Sequence, residues 1–497
     1  METLLEKLKE YNDSDIYPYH MPGHKRKRTG GLSADITGID ITEIDGFDDL
    51  HASEGILLKL QERAARLYGA DESFFLVNGS TGGILSAISA ALAEGEHILM
   101  LRGSHRSAYH AAYLRKLKVS YLYSTIIEDF DICDAVTAEQ VEKALSEHED
   151  IRAVFIVSPT YEGRIADVEK IAQVVHKKGI MLIVDEAHGA HLGFAEGFAK
   201  NSCQAGADIV IHSVHKTLPA MTQSALLHIN GDLADREKIR RFLRIYQSSS
   251  PSYVLMAGID NAVDLLENEK NSLFSSFYGR YFDMLNKLSK CRRLQFLPMS
   301  AGQDIGKLVI SGKKAGISGR KIYDLLLNKY HLQLEMASSS YCLAMFTICD
   351  GEEAYVRMTN ALLEIDGYLA EDADIGNISA YASELLSYYD REALPLWRAW
   401  DMECELVPLG GAAGKYSGEF INLYPPGIPL LVPGERFTEK QCSAIEAFIS
   451  QGLNVQGVFH AEARDALWNE QDIQRNRGCR RPGELLVKTL AEKNMYD

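Results

Sequence analysis

No stretch of the 497-residue chain approaches the roughly 18 apolar residues in a row that a membrane-spanning helix needs. A helical membrane protein is therefore not expected. The opening METLLEKLKEYNDSD is polar and acidic and lacks the apolar core of a secretory signal. Cysteine is sparse and unpaired in pattern: Cys133, Cys203, Cys291, Cys342, Cys349, Cys404, Cys442 and Cys479 are scattered, and none forms a CxxC pair. They read as free thiols of a reducing cytoplasm rather than as a disulfide framework. Positive charge is also short, with 52 Lys and Arg against 69 Asp and Glu and a formal net charge of −17. That balance argues against a general nucleic-acid binder and suits a soluble enzyme with cationic substrates. Internal repeats are absent.

What is present is globular. Hydrophobic residues make up 46% and charged residues 24%, and the length calls for at least two domains. Residues 1–40 read as an extended arm, broken by Pro18, Pro22, Gly23, Gly30 and Gly31. From 41 to 265, helical stretches such as Val168–Lys178 alternate with short apolar runs. The runs are Phe74–Val77, His97–Leu101, Ala153–Val157, Met181–Val184, Ile209–His212 and Ala225–Ile229. Such alternation predicts an α/β domain with a mostly parallel sheet covered by helices. Residues 266–458 mix helical Asn271–Ser289 and Ala354–Tyr368 with strand-like Lys307–Ile310 and Leu343–Thr347, which predicts a smaller α+β domain. The tail, 459–497, has no assigned role.

Three segments at predicted strand ends could carry chemistry, because open α/β sheets bind ligands there. Lys216, in Ser213-Val-His-Lys216-Thr217, follows the run Ile209–His212. A lysine partly withdrawn from water can form a Schiff base; it could equally be a surface lysine after a strand. Asp185, in VDEAH, ends Met181–Val184. It could hold a pyridinium nitrogen protonated or simply cap a helix. A helicase reading of DEAH fails, since no GxxxxGK[ST] loop accompanies it. The third segment is Asn78-Gly-Ser80-Thr81-Gly-Gly, which opens a small-residue helix and offers N–H groups and two hydroxyls to a phosphate. An ordinary N-cap looks similar. His188 and His191 have a metal-like spacing but no evident third ligand, so no metal is expected. His105, in GSHR, is either a core histidine or one that stacks on a cofactor ring.

Taken together, these segments resemble the bacterial ornithine/lysine/arginine decarboxylases, fold type I enzymes that use pyridoxal 5′-phosphate (PLP). The matching segments are YPYHMPGHK at 17–25, GSTGG at 79–83, SHRSAYH at 104–110, SPTYEG at 158–163 and VDEAHGAH at 184–191. SVHKTLPAMTQ at 213–223, SSSPSY at 248–253 and PPGIPLLVPGE at 425–435 complete the set. The chain resembles the short members, which lack a receiver-like N-terminal domain.

The resemblance implies that Lys216 carries the cofactor and that Asp185 faces its ring nitrogen. It implies that His105 and Ala187 lie on opposite ring faces, with His188 beside them. Ser80, Thr81, Ser213 and His215 would contact the phosphate, and His215 or Lys216 would return a proton to the substrate. Ser248 or Ser249 would reach the phosphate of a neighbouring subunit, so a homodimer or dimer-based tetramer with shared active sites is implied. The expected reaction is decarboxylation of a basic amino acid to a polyamine-type amine, with arginine ahead of lysine and ornithine. A carboxylate should face the cationic side chain: Glu435 first, then Asp45, Asp48 and Asp49. A PLP aminotransferase or aldolase, or an inactive regulatory homologue, is the alternative; CO₂ release without an oxo-acid acceptor separates them. Neither nucleic acid nor membrane is an expected partner.

Overall fold

In the computed structural model the described residues are 3–14, 22, 34–300, 302–369, 393–424, 427–460 and 484–491. The motif at 17–25 lies outside them apart from Pro22, as do Pro425 and Pro426 and most of the expected tail.

Seven strands form the large sheet: β1 Glu72–Leu76, β2 His97–Leu101, β3 Lys118–Leu122, β4 Ile151–Val157, β5 Met181–Asp185, β6 Ile209–His212 and β7 Ala225–Ile229. Their order is β1-β7-β6-β5-β4-β2-β3. The pairs β2/β3, β2/β4, β4/β5 and β5/β6 are parallel, and β7 runs against both β6 and β1. The central strands are Val, Ile and Leu runs buried on both faces, as helix-covered parallel strands must be. The edge strand β3 was missed from sequence because KVSYL is half polar and only its last residue is buried.

The smaller sheet has the order β8-β9-β11-β10, from β8 Gln295–Phe296, β9 Lys307–Ser311, β10 Met336–Ala337 and β11 Tyr341–Met345. Two three-stranded sheets follow, drawn from Cys404–Pro408, Ile421–Leu423, Ile428–Leu431, Val455–Gln456, Val458–His460 and Leu485–Leu490.

Three expected boundaries shift. The first forty residues are not simply an extended arm: Leu4–Asp13 is a helix with a Thr3/Glu6 capping box. Its Leu4 and Leu8 are fully buried, and the Leu4 N–H donates to Asp260 at 2.8 Å. Position 265 falls inside the 36-residue helix Tyr253–Leu288, which runs from one region into the next. Leu485–Leu490, inside the expected tail, pairs with both Cys404–Pro408 and Val458–His460 and is the middle strand of its sheet.

Candidate active site

The carboxyl ends of β5 and β6 lie side by side, and both feed one cavity of about 540 Å³. Asp185 is the last residue of β5 and is 3% exposed. One carboxylate oxygen accepts from the Ala187 N–H at 3.1 Å, so Asp185 organises a turn rather than capping a helix. Burial pushes its carboxyl upward, and the nearby Lys216 opposes that shift. Backbone alternation sends Asp185 and Ala187 to the cavity and Glu186 to the other side. There Glu186 accepts from the Ser202 N–H and hydroxyl and meets His212 Nε2 at 2.6 Å.

Lys216 lies on the helical turn Val214–Thr217 directly after β6. Its Nζ is 3.0 Å from His188 Nε2. Burial lowers its pKa, and the carboxylates of Asp185 and Glu335 partly restore it. His215 faces the same cavity and donates Nδ1–H to the Ser224 carbonyl at 2.9 Å, which leaves Nε2 as an acceptor. His105 caps the helix Arg106–Leu114, accepting the Ser107 N–H on Nδ1. Burial, then Lys216, push the His105 imidazole down to about 4, so it is neutral at physiological pH.

A phosphate has a prepared place. The helix Gly79–Ala91 opens at the cavity with no side-chain cap on its N-terminus, and Ser80 and Thr81 sit in its first turn. Gly79 takes φ +68°, which favours glycine. In the same lining the Ser213 hydroxyl is fully buried and makes no hydrogen bond. A buried hydroxyl without a partner is costly; an anion between it and the helix end would satisfy both. The residues therefore fit PLP: a buried carboxylate for the ring nitrogen, a lysine for the aldehyde, a neutral histidine beside them and a phosphate cradle.

The other expected residues lie elsewhere. Ser248 and Ser249 are exposed and do not line the cavity; the Ser248 N–H contacts Asn78 Oδ1 at 3.4 Å. His191 turns from the cavity to meet Asp304 at 3.0 Å through Nε2. Glu435, the first candidate for substrate recognition, is 5% exposed and does not line the cavity. It is ion-paired with the buried Arg102 at 2.9 Å and accepts the Val432 N–H at 2.8 Å. Its charge is spent on holding the Ile428–Leu431 segment against the end of β2. Asp48 accepts four backbone N–H groups, from Asp49, Glu54, Gly55 and Leu57. Asp49 caps a turn through the His51 N–H, and Asp45 is exposed; none of the three lines the cavity.

Three other carboxylates do line it: Asp131, Glu162 and Glu335. Asp131 is paired with Lys313 at 2.9 Å. Glu162 accepts the Tyr341 hydroxyl at 2.6 Å. Glu335 accepts the Tyr161 hydroxyl, is exposed, and has no cationic partner among the described residues. Sequence reasoning passed over it because Leu332-Gln-Leu-Glu335-Met carries no motif, and over Lys307 because it opens an ordinary-looking strand.

Known proteins resemble this chain over most of its length. The family model described as Orn/Lys/Arg decarboxylase, major domain, matches residues 3–306, and that family's C-terminal domain matches 393–454. The arginine decarboxylase of Bacillus subtilis (strain 168) is 31% identical over 464 residues, covering 90% of this chain and 94% of that protein. The arginine decarboxylase of Bacillus anthracis is 30% identical over 472 residues, covering 91% and 94%. The crystal structure of the Francisella novicida lysine decarboxylase superposes with a TM-score of 0.81 at 18% identity, covering 98% of this chain and 81% of that one. The fold is thus the α/β fold type I of PLP enzymes with a smaller C-terminal domain, and the chain belongs to the Orn/Lys/Arg decarboxylase family.

Proposed function

We propose that this protein binds PLP through Lys216 and decarboxylates arginine in preference to lysine or ornithine. Its family is one of decarboxylases acting on basic amino acids. The observation that carries the reading is the convergence of Lys216, Asp185 and the unsatisfied Ser213 hydroxyl on one cavity whose lining also includes Glu335. Arginine leads because the two relatives just described bear that name.

Bound PLP supplies the electron sink for the pair left when the Cα–carboxylate bond breaks. The protein's residues do the rest. Asp185, buried at the strand end, would hold a proton on the ring nitrogen. Ser80, Thr81 and Ser213 hold the phosphate. His105, neutral, and Ala187, both in the cavity lining, would flank the ring. Glu335 takes the substrate's guanidinium or ammonium by a charge-assisted bond, positioned by the Tyr161 hydroxyl. Lys216 or His215 would return a proton to Cα. Ser248 and Ser249, exposed and outside their own cavity, serve the site of a second copy, which makes the working unit a homodimer.

Among the described residues no helix is long and apolar enough to cross a membrane, and a cytoplasmic setting suits the free thiols and a polyamine-type product. The test is CO₂ release from arginine, lysine and ornithine, each without an oxo-acid acceptor. The reading requires stoichiometric CO₂ and amine, fastest from arginine. Oxo-acid formation in place of CO₂ would replace it with transamination.

A further inference from the structure

From the cavity lining inward, three bases stand in line. Lys216 Nζ is 3.0 Å from His188 Nε2, and His188 Nδ1 is 2.9 Å from the Nζ of Lys307. Lys307 opens β9, is only 3% exposed, and has no ion-pair partner among the described residues. A buried lysine without a paired carboxylate is rare and costly. The site makes specific room for it. Gly163 has φ +92°, and a Cβ there would stand 2.7 Å from Lys307 Cγ. The ring of Tyr161 lies below, with Lys307 Nζ 5.9 Å from its centroid and the His188 ring 4.7 Å away, edge to face.

Donor counting restricts this row. An ammonium only donates, and a neutral imidazole has one N–H and one lone pair. Two ammoniums cannot both bond to a neutral His188, because one would meet its N–H. A doubly protonated His188 would need both lysines as amines; burial and the two lysines push its pKa far down. The row therefore holds at most one ammonium, at one end or the other.

We propose that Lys307 is a positioning residue that stores the proton of Lys216, exchanged through His188. In the transfer, Lys216 gives a proton to Nε2 of His188 while Nδ1 gives its own to the Lys307 amine. His188 changes tautomer, one N–H bond breaks and one forms at each nitrogen pair, and the total charge is unchanged. Lys216 is left as the free amine that attacks an aldehyde, and the return transfer re-protonates it when needed. The groups facing the row are Asp185 and Glu335 at Lys216, His105 and His191 at His188, and Asp304, Glu335 and Glu162 at Lys307. Burial brings Lys307 down to about 8, with Asp304 opposing, so it can both hold and release a proton near neutral pH.

The inference rests on Lys216 being the PLP lysine, and its test separates the two claims. Apoprotein is mixed with PLP, and the rise of the Schiff-base absorbance is followed by stopped flow as a function of pH. If wild-type protein forms no such species, or borohydride fixes the label on another lysine, the proposed function itself fails. If wild-type protein reacts at Lys216, the variants decide. Lys307→Met keeps the volume and removes the proton store, so Lys216 keeps its own proton. Its rate profile moves to higher pH by about one unit, which is roughly a tenfold slower reaction at neutral pH. Lys307→Arg is permanently cationic; it fixes the His188 proton on Nε2, keeps Lys216 an amine, and moves the profile to lower pH. Opposite shifts support the proposal. A purely structural role scales the rate equally at every pH, and superimposable profiles, or shifts in one direction, overturn it. Should Lys307→Met fail to fold, Lys307→Arg alone decides: a downward shift supports the store, and an unchanged or raised profile ends it.

Discussion

The floor and the roof of the cavity are built by different means. The floor is backbone: Asp185, Ala187, Ser213 and Lys216 stand at or just beyond the ends of adjacent parallel strands, so ladder bonds and dry packing on both faces fix their positions. The roof is side chain on side chain. Tyr161 reaches Glu335, Tyr341 reaches Glu162, and Lys313 reaches Asp131, across segments well separated in sequence. A floor residue cannot move without the sheet, whereas a roof residue can be exchanged with local repacking. The floor therefore suits the invariant chemistry of the cofactor, and the roof suits discrimination between side chains. Substitutions should divide accordingly: floor changes strike turnover, and roof changes strike KM.

The largest effect belongs to Lys216→Ala. No other amine in the described cavity lining can take the aldehyde, so CO₂ release should fall by several orders of magnitude. The melting temperature of the apoprotein should hold, because a largely withdrawn polar amine has been removed. Retention of even a tenth of wild-type turnover would remove Lys216 from the centre of the floor. Asp185→Asn follows. The amide keeps the turn bond from Ala187 but cannot hold a ring proton by charge. PLP should stay bound while kcat drops by roughly a hundredfold or more, the scale on which one lost electrostatic partner acts.

Two glutamates test the roof directly. Glu335→Gln should raise KM for the basic substrate roughly tenfold or more and leave the cofactor spectrum alone, since a charge-assisted bond contributes about 1.5–3 kcal/mol. Glu435→Gln should do the opposite. It strands the buried Arg102 charge, at a cost of about 3–5 kcal/mol, so the melting temperature falls while KM changes little. A raised KM in Glu435→Gln at unchanged stability would return the recognition role to that residue and empty the roof of its proposed purpose.

The same division explains what the sequence made legible. The six apolar runs between 74 and 229 appear as strands within a few residues of their expected ends. The residues at those ends line the cavity because chain direction alone delivers them there. His105, Ser80 and Thr81 were legible for the same reason, as each follows a strand. Glu335 was not, because its position beside Tyr161 depends on a contact 174 residues away in the chain. Glu435 was misread because PPGIPLLVPGE announces a rigid loop without saying which way its carboxylate turns. The buried Arg102, 333 residues earlier, helps decide that. The capping box at Thr3 was readable in principle and was outweighed by the prolines and glycines after it.

Asp48 gives the smallest effect and the finest test of the boundary between site and scaffold. It was a candidate for binding the substrate cation, yet its carboxylate is occupied by four backbone N–H groups and stands outside the cavity. Its residue adopts φ +71°, and the loop it gathers leads into the helix Ile56–Tyr68. Burial raises the carboxyl's pKa, and the bonds from Glu54, Asp49, Gly55 and Leu57 outweigh it, so the folded value lies below the ordinary 3.8. A depressed carboxylate stabilises the fold above its unfolded pKa and loses that contribution as pH falls through the lower folded value. Asp48→Ala should therefore cost about 1–2 kcal/mol at neutral pH, and the deficit against wild type should shrink as pH falls from about 4, where the unfolded carboxylate takes up a proton, through the lower folded value. KM for the basic amino acid should not move. A raised KM with an unchanged melting temperature would mean that this loop reaches a substrate after all, across the proposed subunit boundary at the exposed Ser248.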